Sequence, residues 1–210
     1  MNFKRYATRF LGALHLLTAA GFASGNSFAA EALPIGSDNE IYAKIGSCNF
    51  RFASMQGVRY ANPEEGKNPQ IGAILFDYGG KTALSRVGLP ISLTCEDAKE
   101  PDAIANLLAA VYRDGQWEAK DGDGNWVVQF DRTARVQTFE IHGRNAWGKA
   151  LLYNDAVGDE DQRSRHINFC MIHNSVALCG RGSVQWLRNP KVDSTSEMKQ
   201  LIESIQFIDR

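Results

Sequence analysis

The sequence predicts an α+β fold: a mainly antiparallel sheet with two packed helices and two disulfides. Three observations carry this reading. Short segments with apolar residues at alternate positions recur along the 210-residue chain, separated by polar turn clusters. Two segments switch to helical spacing. Four cysteines, Cys48, Cys95, Cys170 and Cys179, all lie beyond an N-terminal stretch with the layout of an export signal.

That stretch comes first. Lys4, Arg5 and Arg9 form a basic start, and an apolar run from Leu11 to Ala23 is broken only by His15 and Thr18. Ser27-Phe28-Ala29 then offers small residues at the two positions a signal peptidase reads. The run is shorter than the ~20 residues that span a bilayer, so residues 1–29 read as a cleaved signal peptide rather than an anchor. Residues 30–46 carry little pattern and are expected to be an extended lead-in. Residues 47–210 then form a single domain, a normal size for one hydrophobic core. The expected address is the periplasm, with no membrane segment after cleavage.

Within the domain, a first strand is expected over residues 47–53. A Pro-, Asn- and Glu-rich turn covers 62–69, and a strand covers 71–78. Gly79-Gly80 turns the chain into a strand over 90–95. Pro101 suits the first position of a helix, Ile104, Leu107, Leu108 and Val111 follow its apolar stripe, and Gly115 suits its end. Strands resume around Trp117, over 126–130, at Phe139 and Ile141, and over 150–153. A polar, acidic segment, 155–165, leads to a hairpin running towards Trp186. Ser194 and Glu197 have the spacing of a capping box, and Met198, Leu201, Ile202 and Ile205 form the stripe of a second helix. A short strand over 205–208 closes the chain.

The hairpin fixes one disulfide. With Asn174-Ser175 as a two-residue loop, His173 faces Val176, Ile172 faces Ala177, Met171 faces Leu178 and Cys170 faces Cys179. Counting outward puts the cysteines on a non-hydrogen-bonded pair, where Cα atoms are ~4.5 Å apart and a disulfide can close. The same register places Ile167, Phe169, Met171, Val176 and Leu178 on one face, expected to be the core face. Cys48 then pairs with Cys95 by elimination, and each alternates with apolar neighbours on its own strand.

Charge and motifs exclude several classes. The whole chain carries −1, and removal of the leader takes three bases and no acid, so the domain is mildly acidic and lacks the basic face that nucleic acid requires. Gly79-Gly80-Lys81-Thr82 resembles the end of a phosphate loop, but Leu75 stands where that motif needs glycine, so it reads as a turn. Asp121, Asp123 and Asn125 have the spacing that opens a calcium loop, yet Trp126 and Arg132 replace the glycine and glutamate it needs, so a hairpin turn is expected. His142, His166 and His173 lack metal-site spacing, and no nucleophile motif is present. The expectation is therefore a non-catalytic protein without cofactor or metal. Two surfaces stand out for a protein partner: the acidic cluster Asp155, Asp159, Glu160 and Asp161, and Asp121 and Asp123 of the turn. Trp147, in a loop-like context, is a further residue to locate.

The tail then carries a likeness. Phe169-Cys170-Met171-Ile172 and Ala177-Leu178-Cys179-Gly180, followed by a helix ending Leu201-Ile202-Glu203-Ser204-Ile205-Gln206-Phe207-Ile208-Asp209, resemble the C-terminal unit of PsbP-like α+β domains. They are also similar to tails of periplasmic immunity proteins of bacterial type VI secretion systems. The likeness spans residues 169–209 and transfers no functional residue. It implies a periplasmic protein that binds and blocks an envelope-targeted toxin effector. A periplasmic small-ligand or lipid-binding module is the other reading.

Overall fold

A computed structural model describes residues 40–61, 71–77, 79–113, 116–120, 126–127, 134–156 and 158–209, with residues 101 and 110–127 as backbone only. The architecture is α+β, with antiparallel sheets, three α-helices among the described residues rather than two, and two disulfides.

A seven-stranded antiparallel sheet dominates. Its strands are β3 (Val58–Ala61), β4 (Ile71–Phe76), β5 (Ile91–Asp97), β9 (Gln137–His142), β10 (Trp147–Asn154), β11 (Ser164–His173) and β12 (Val176–Trp186). They lie in the order β3-β4-β5-β12-β11-β10-β9. A smaller sheet, β1-β2-β13, joins β1 (Glu40–Ile45), β2 (Cys48–Ala53) and β13 (Gln206–Phe207). A third comprises β6 (Ala110–Arg113), β7 (Gln116–Lys120) and β8 (Trp126–Val127). The segment expected as lead-in thus supplies β1, which pairs with β2 from Glu40↔Ala53 to Ile45↔Cys48.

The hairpin has the expected register: His173↔Val176, Ile172↔Ala177, Met171↔Leu178 and Cys170↔Cys179. Asn174 takes a positive φ of 53°, which asparagine tolerates in such a loop. The disulfides are Cys170–Cys179, with Cα atoms 4.0 Å apart, and Cys48–Cys95, with Cα atoms 5.8 Å apart.

Alternation then divides the residues between two faces. Phe50, Phe52, Ile91, Leu93, Ile167, Phe169, Met171 and Leu178 are buried together with Met198, Leu201 and Ile202 of α3 (Thr195–Glu203). Each such side chain contributes about 2 kcal/mol by leaving water. On the opposite face, Leu151, Ala177 and the Cys170–Cys179 bridge pack beneath Ile104, Leu107 and Leu108 of α2 (Pro101–Leu108). The hairpin is therefore covered on both faces, not on one.

Three local expectations change. The helix that starts at Pro101 ends at Leu108: Ala109 turns left-handed, and Val111, counted on the helical stripe, lies in β6, paired with β7. Strand pairing overrides helical spacing there. A short helix, α1 (Ala83–Val87), stands where only a turn was expected. Thr82 caps it, with its hydroxyl accepting from the Ser85 N–H. Finally, Ser194 and Glu197 do not form a capping box. The Ser194 hydroxyl donates to the Val184 carbonyl at 2.7 Å, and the Glu197 carboxylate accepts from the Ala83 and Leu84 N–H groups at 3.0 and 2.9 Å. Glu197 thus caps α1, not its own helix.

Candidate functional site

The acidic segment between β10 and β11 is a folded loop. The Asp155 N–H donates to the Ser164 carbonyl at 2.9 Å and closes its base. Asp159 caps a 3-10 turn, Glu160–Gln162, by accepting from the Asp161 N–H at 3.2 Å. Arg163 clamps the loop, donating through Nε and Nη2 to the Gly158 carbonyl at 3.2 and 2.9 Å. Its Nη1 also lies 3.7 Å from Glu160.

The four acids consequently have different roles. Asp155 is turned to the domain, where its Oδ2 accepts from the Ser164 N–H at 2.9 Å and hydroxyl at 3.3 Å. Asp159 serves the turn. Glu160, with a side chain 87% exposed, and Asp161 face solvent. Asp121 and Asp123 lie outside the described residues, although β7 and β8, which flank them, pair with Lys120 opposite Trp126.

Beside Asp155 is a polar network that motif reading missed. Asp155 Oδ1 lies 2.7 Å from His166 Nε2, and His166 Nδ1 lies 3.1 Å from the Ser183 hydroxyl. The Ser164 hydroxyl is 3.1 Å from both His166 Nε2 and Ser183 Oγ. Extending the hairpin register outward pairs His166 with Ser183, so this part was available from the sequence. The connectivity carboxylate–imidazole–hydroxyl is that of an activated nucleophile. Here both hydroxyls are buried and bonded to each other, an arrangement that holds two strands and the loop together. Tyr153 packs on the His166 ring at 5.2 Å, and burial, with the Asp155 charge adding, pushes its hydroxyl pKa up.

The ladder slips between Arg165 and His166, and Arg165 enters a separate site. It is 9% exposed. Its Nη1 donates to Asn154 Oδ1 at 2.6 Å and to the Arg135 carbonyl at 3.4 Å, and its Nη2 donates to Gln137 Oε1 at 2.9 Å. Burial pushes its pKa down, the Asp193 charge opposes this, and the Arg135 charge adds to it. Arg165 lines a cavity of about 640 Å³ whose wall includes Arg135, Arg163, Asp155, Asp193 and Thr195, at the start of α3. His166, Ser164 and Ser183 do not line it.

At the other end of β10, Trp147 is 61% exposed on the first residue of the strand. A second cavity, about 590 Å³, is lined by His173, Phe207, Asp209 and Lys44. Among the described residues, no group of three or more His, Cys, Asp or Glu side chains is placed to hold a metal. No helix among them is long and apolar enough to cross a membrane. The two disulfides fit an oxidising, exported location.

No protein-family model matches the chain, and no curated protein matches it. Among solved structures, the chain is similar to a protein of Bacteroides thetaiotaomicron VPI-5482, at 12% identity and a TM-score of 0.34 over 82% of this chain. The chain spans 49% of the length of that structure, about half.

Proposed function

We propose that this is an exported, non-catalytic binding protein of the periplasm, most simply an immunity or inhibitor protein that neutralises an envelope-targeted toxin effector. The observation that carries the reading is the hydrogen-bonded, outward presentation of Glu160 and Asp161. A capped turn, clamped by Arg163, holds two outward carboxylates without the ordering cost a loose loop would incur on binding. Such an acidic point suits a basic partner surface, steering its approach and fixing its register. The resemblance of residues 169–209 to periplasmic immunity proteins supports the same choice. Trp147, a residue type common at binding hot spots, stands at the far end of β10, about 25 Å along the strand, and belongs to a different patch.

The other reading, a small-ligand module, is favoured by the cavity at Arg165. Arginine, aspartate, asparagine and glutamine dominate its wall, which fits a polar ligand rather than a lipid. Native mass spectrometry of the protein isolated from the envelope of its own host separates the two. A stoichiometric protein partner is expected. A small-molecule adduct without a protein partner would favour the ligand module, and the bare protein would count against both.

A further inference from the structure

We infer that the cavity between the ends of β9–β12 and the start of α3 is an oxyanion site that takes the carboxylate or phosphate group of a small molecule, with Arg165 as its anchor. The inference goes beyond the protein-partner reading and does not depend on it.

Three independent features converge on one cavity. The first is a buried cation that no carboxylate contacts directly, although the Asp193 charge in the same wall acts on it through space. All the acceptors of the Arg165 guanidinium are neutral: an asparagine oxygen, a glutamine oxygen and a backbone carbonyl. Among the described residues no carboxylate lies within ion-pairing distance of it, and its Nε–H has no acceptor. Buried charge is ordinarily paired, because an isolated ion loses its hydration without return. The neutral acceptors hold the guanidinium in position without an ion-pair contact, and a planar fork with unused donors matches an oxyanion bidentately.

The second feature is Thr195. It lines the same cavity, and its buried hydroxyl oxygen has no hydrogen-bond partner among the described residues. Buried hydroxyls are almost always partnered, and this one, closed to solvent as placed, would reach a ligand oxygen by rotation of the Thr195 side chain. Thr195 is also the first residue of the nine-residue α3, and its N–H at that helix end is already taken by the Asp193 carboxylate.

The third is the balance of charge in the wall. Asp155 is occupied by His166 and Ser164, and Asp193 accepts from the Thr195 N–H at 2.8 Å. Both acids are therefore engaged with donors of the protein itself. With Arg135 and Arg163, three arginines stand against these two acids in the wall, a net of one positive charge, and Arg163 is itself bonded to the Gly158 carbonyl. A volume of about 640 Å³ is within the range of small-molecule sites, which run from ~300 to ~1,000 Å³.

The test is isothermal titration of the purified protein with sodium acetate, succinate and inorganic phosphate, against sodium chloride at equal ionic strength. Saturable binding of at least one of the three, absent with chloride, is expected. The preference between carboxylate and phosphate then identifies the ligand's anionic group. R165Q, shown to be folded by circular dichroism, is expected to bind at least about tenfold more weakly, and T195V, which alters only the hydroxyl, about threefold or more. Absence of saturable binding of all three probes by the wild type would overturn the inference, as would equal affinity in folded R165Q. Should R165Q not fold, T195V decides the matter: wild-type affinity there overturns the assignment. Affinity of either variant for a protein partner at Glu160 and Asp161 is a separate readout, so the two proposals fail separately.

Discussion

At the scale of single residues, His173 is a side chain whose contacts favour its protonated form. Its Nδ1 lies 2.6 Å from the Asn145 carbonyl and its Nε2 lies 2.7 Å from Asp209 Oδ1. Both partners are acceptors, which the imidazolium satisfies from both nitrogens, while the Asn174 amide nitrogen competes for the Nε2 position. Phe207 stacks on the ring at 5.0 Å, and the Asn174 amide lies 3.0 Å from Nε2 and 3.4 Å from Asp209. Burial pulls the His173 pKa down, but the bonds to Asp209 and Asn145 and the Asp209 charge outweigh it, so the value rises above the ordinary 6.5. A raised folded pKa means the contribution is complete below about pH 6.5 and is lost as pH climbs through the folded value. Urea unfolding of wild type and H173Q from pH 5.5 to 9 is expected to show a wild-type advantage of about 0.5 kcal/mol at the acid end that vanishes at the alkaline end, because Asp209 is largely solvent-exposed. An advantage that grows with pH would contradict the assignment. Gly148 gives a steric counterpart. A Cβ there would collide with the Cys170 carbonyl across the β10–β11 pair, so G148A is expected to lower stability by about 2 kcal/mol in the same assay. The register at Cys170 was legible from the sequence because hairpin parity is discrete. The bonds of His173 were not, because Asn145 and Asp209 are distant in the chain.

At the scale of elements, the instructive residue is Glu197. Its carboxylate satisfies two N–H groups at the start of α1, a helix more than a hundred residues earlier. E197A is expected to cost about 1–2 kcal/mol, with E197Q recovering part of it, as read from urea midpoints. A neutral result for E197A would mean solvent replaces the cap. The sequence spacing Ser194-x-x-Glu197 identified the correct helix start but assigned both side chains wrongly, since the motif does not encode which N–H groups tertiary packing brings closer. The missed α1 has only five residues, too few for a periodic signal. The overshoot of α2 into β6 has the same origin: the stripe continues through Val111, while pairing with β7 claims the backbone. The disulfides rank by the loop each closes. Replacing Cys48 and Cys95 by serine, with a separation of 47, should cost about 4 kcal/mol, and replacing Cys170 and Cys179, with a separation of 9, about 3 kcal/mol. A reversed order in denaturant unfolding would show that packing beneath α2 outweighs loop closure.

At the scale of the whole molecule, one sheet is packed on both faces, and the acidic loop and the Arg165 cavity lie together at one end of it. Composition alone revealed the acidic segment. It did not reveal that Asp155 and Asp159 serve the fold while Glu160 and Asp161 face outward, because that division depends on Ser164, His166 and Arg163 being brought beside them. The Arg165 cavity was illegible for the same reason, since it is assembled from four strands and the start of a helix. The most direct test of the proposed binding function is parallel affinity capture from the envelope of the native host with wild type and with a variant carrying Glu160→Lys and Asp161→Lys. The expected result is one basic protein retained in stoichiometric amount by the wild type and lost, or released at much lower salt, by the variant. Equal retention by both proteins, or no stoichiometric protein with either, would contradict the account.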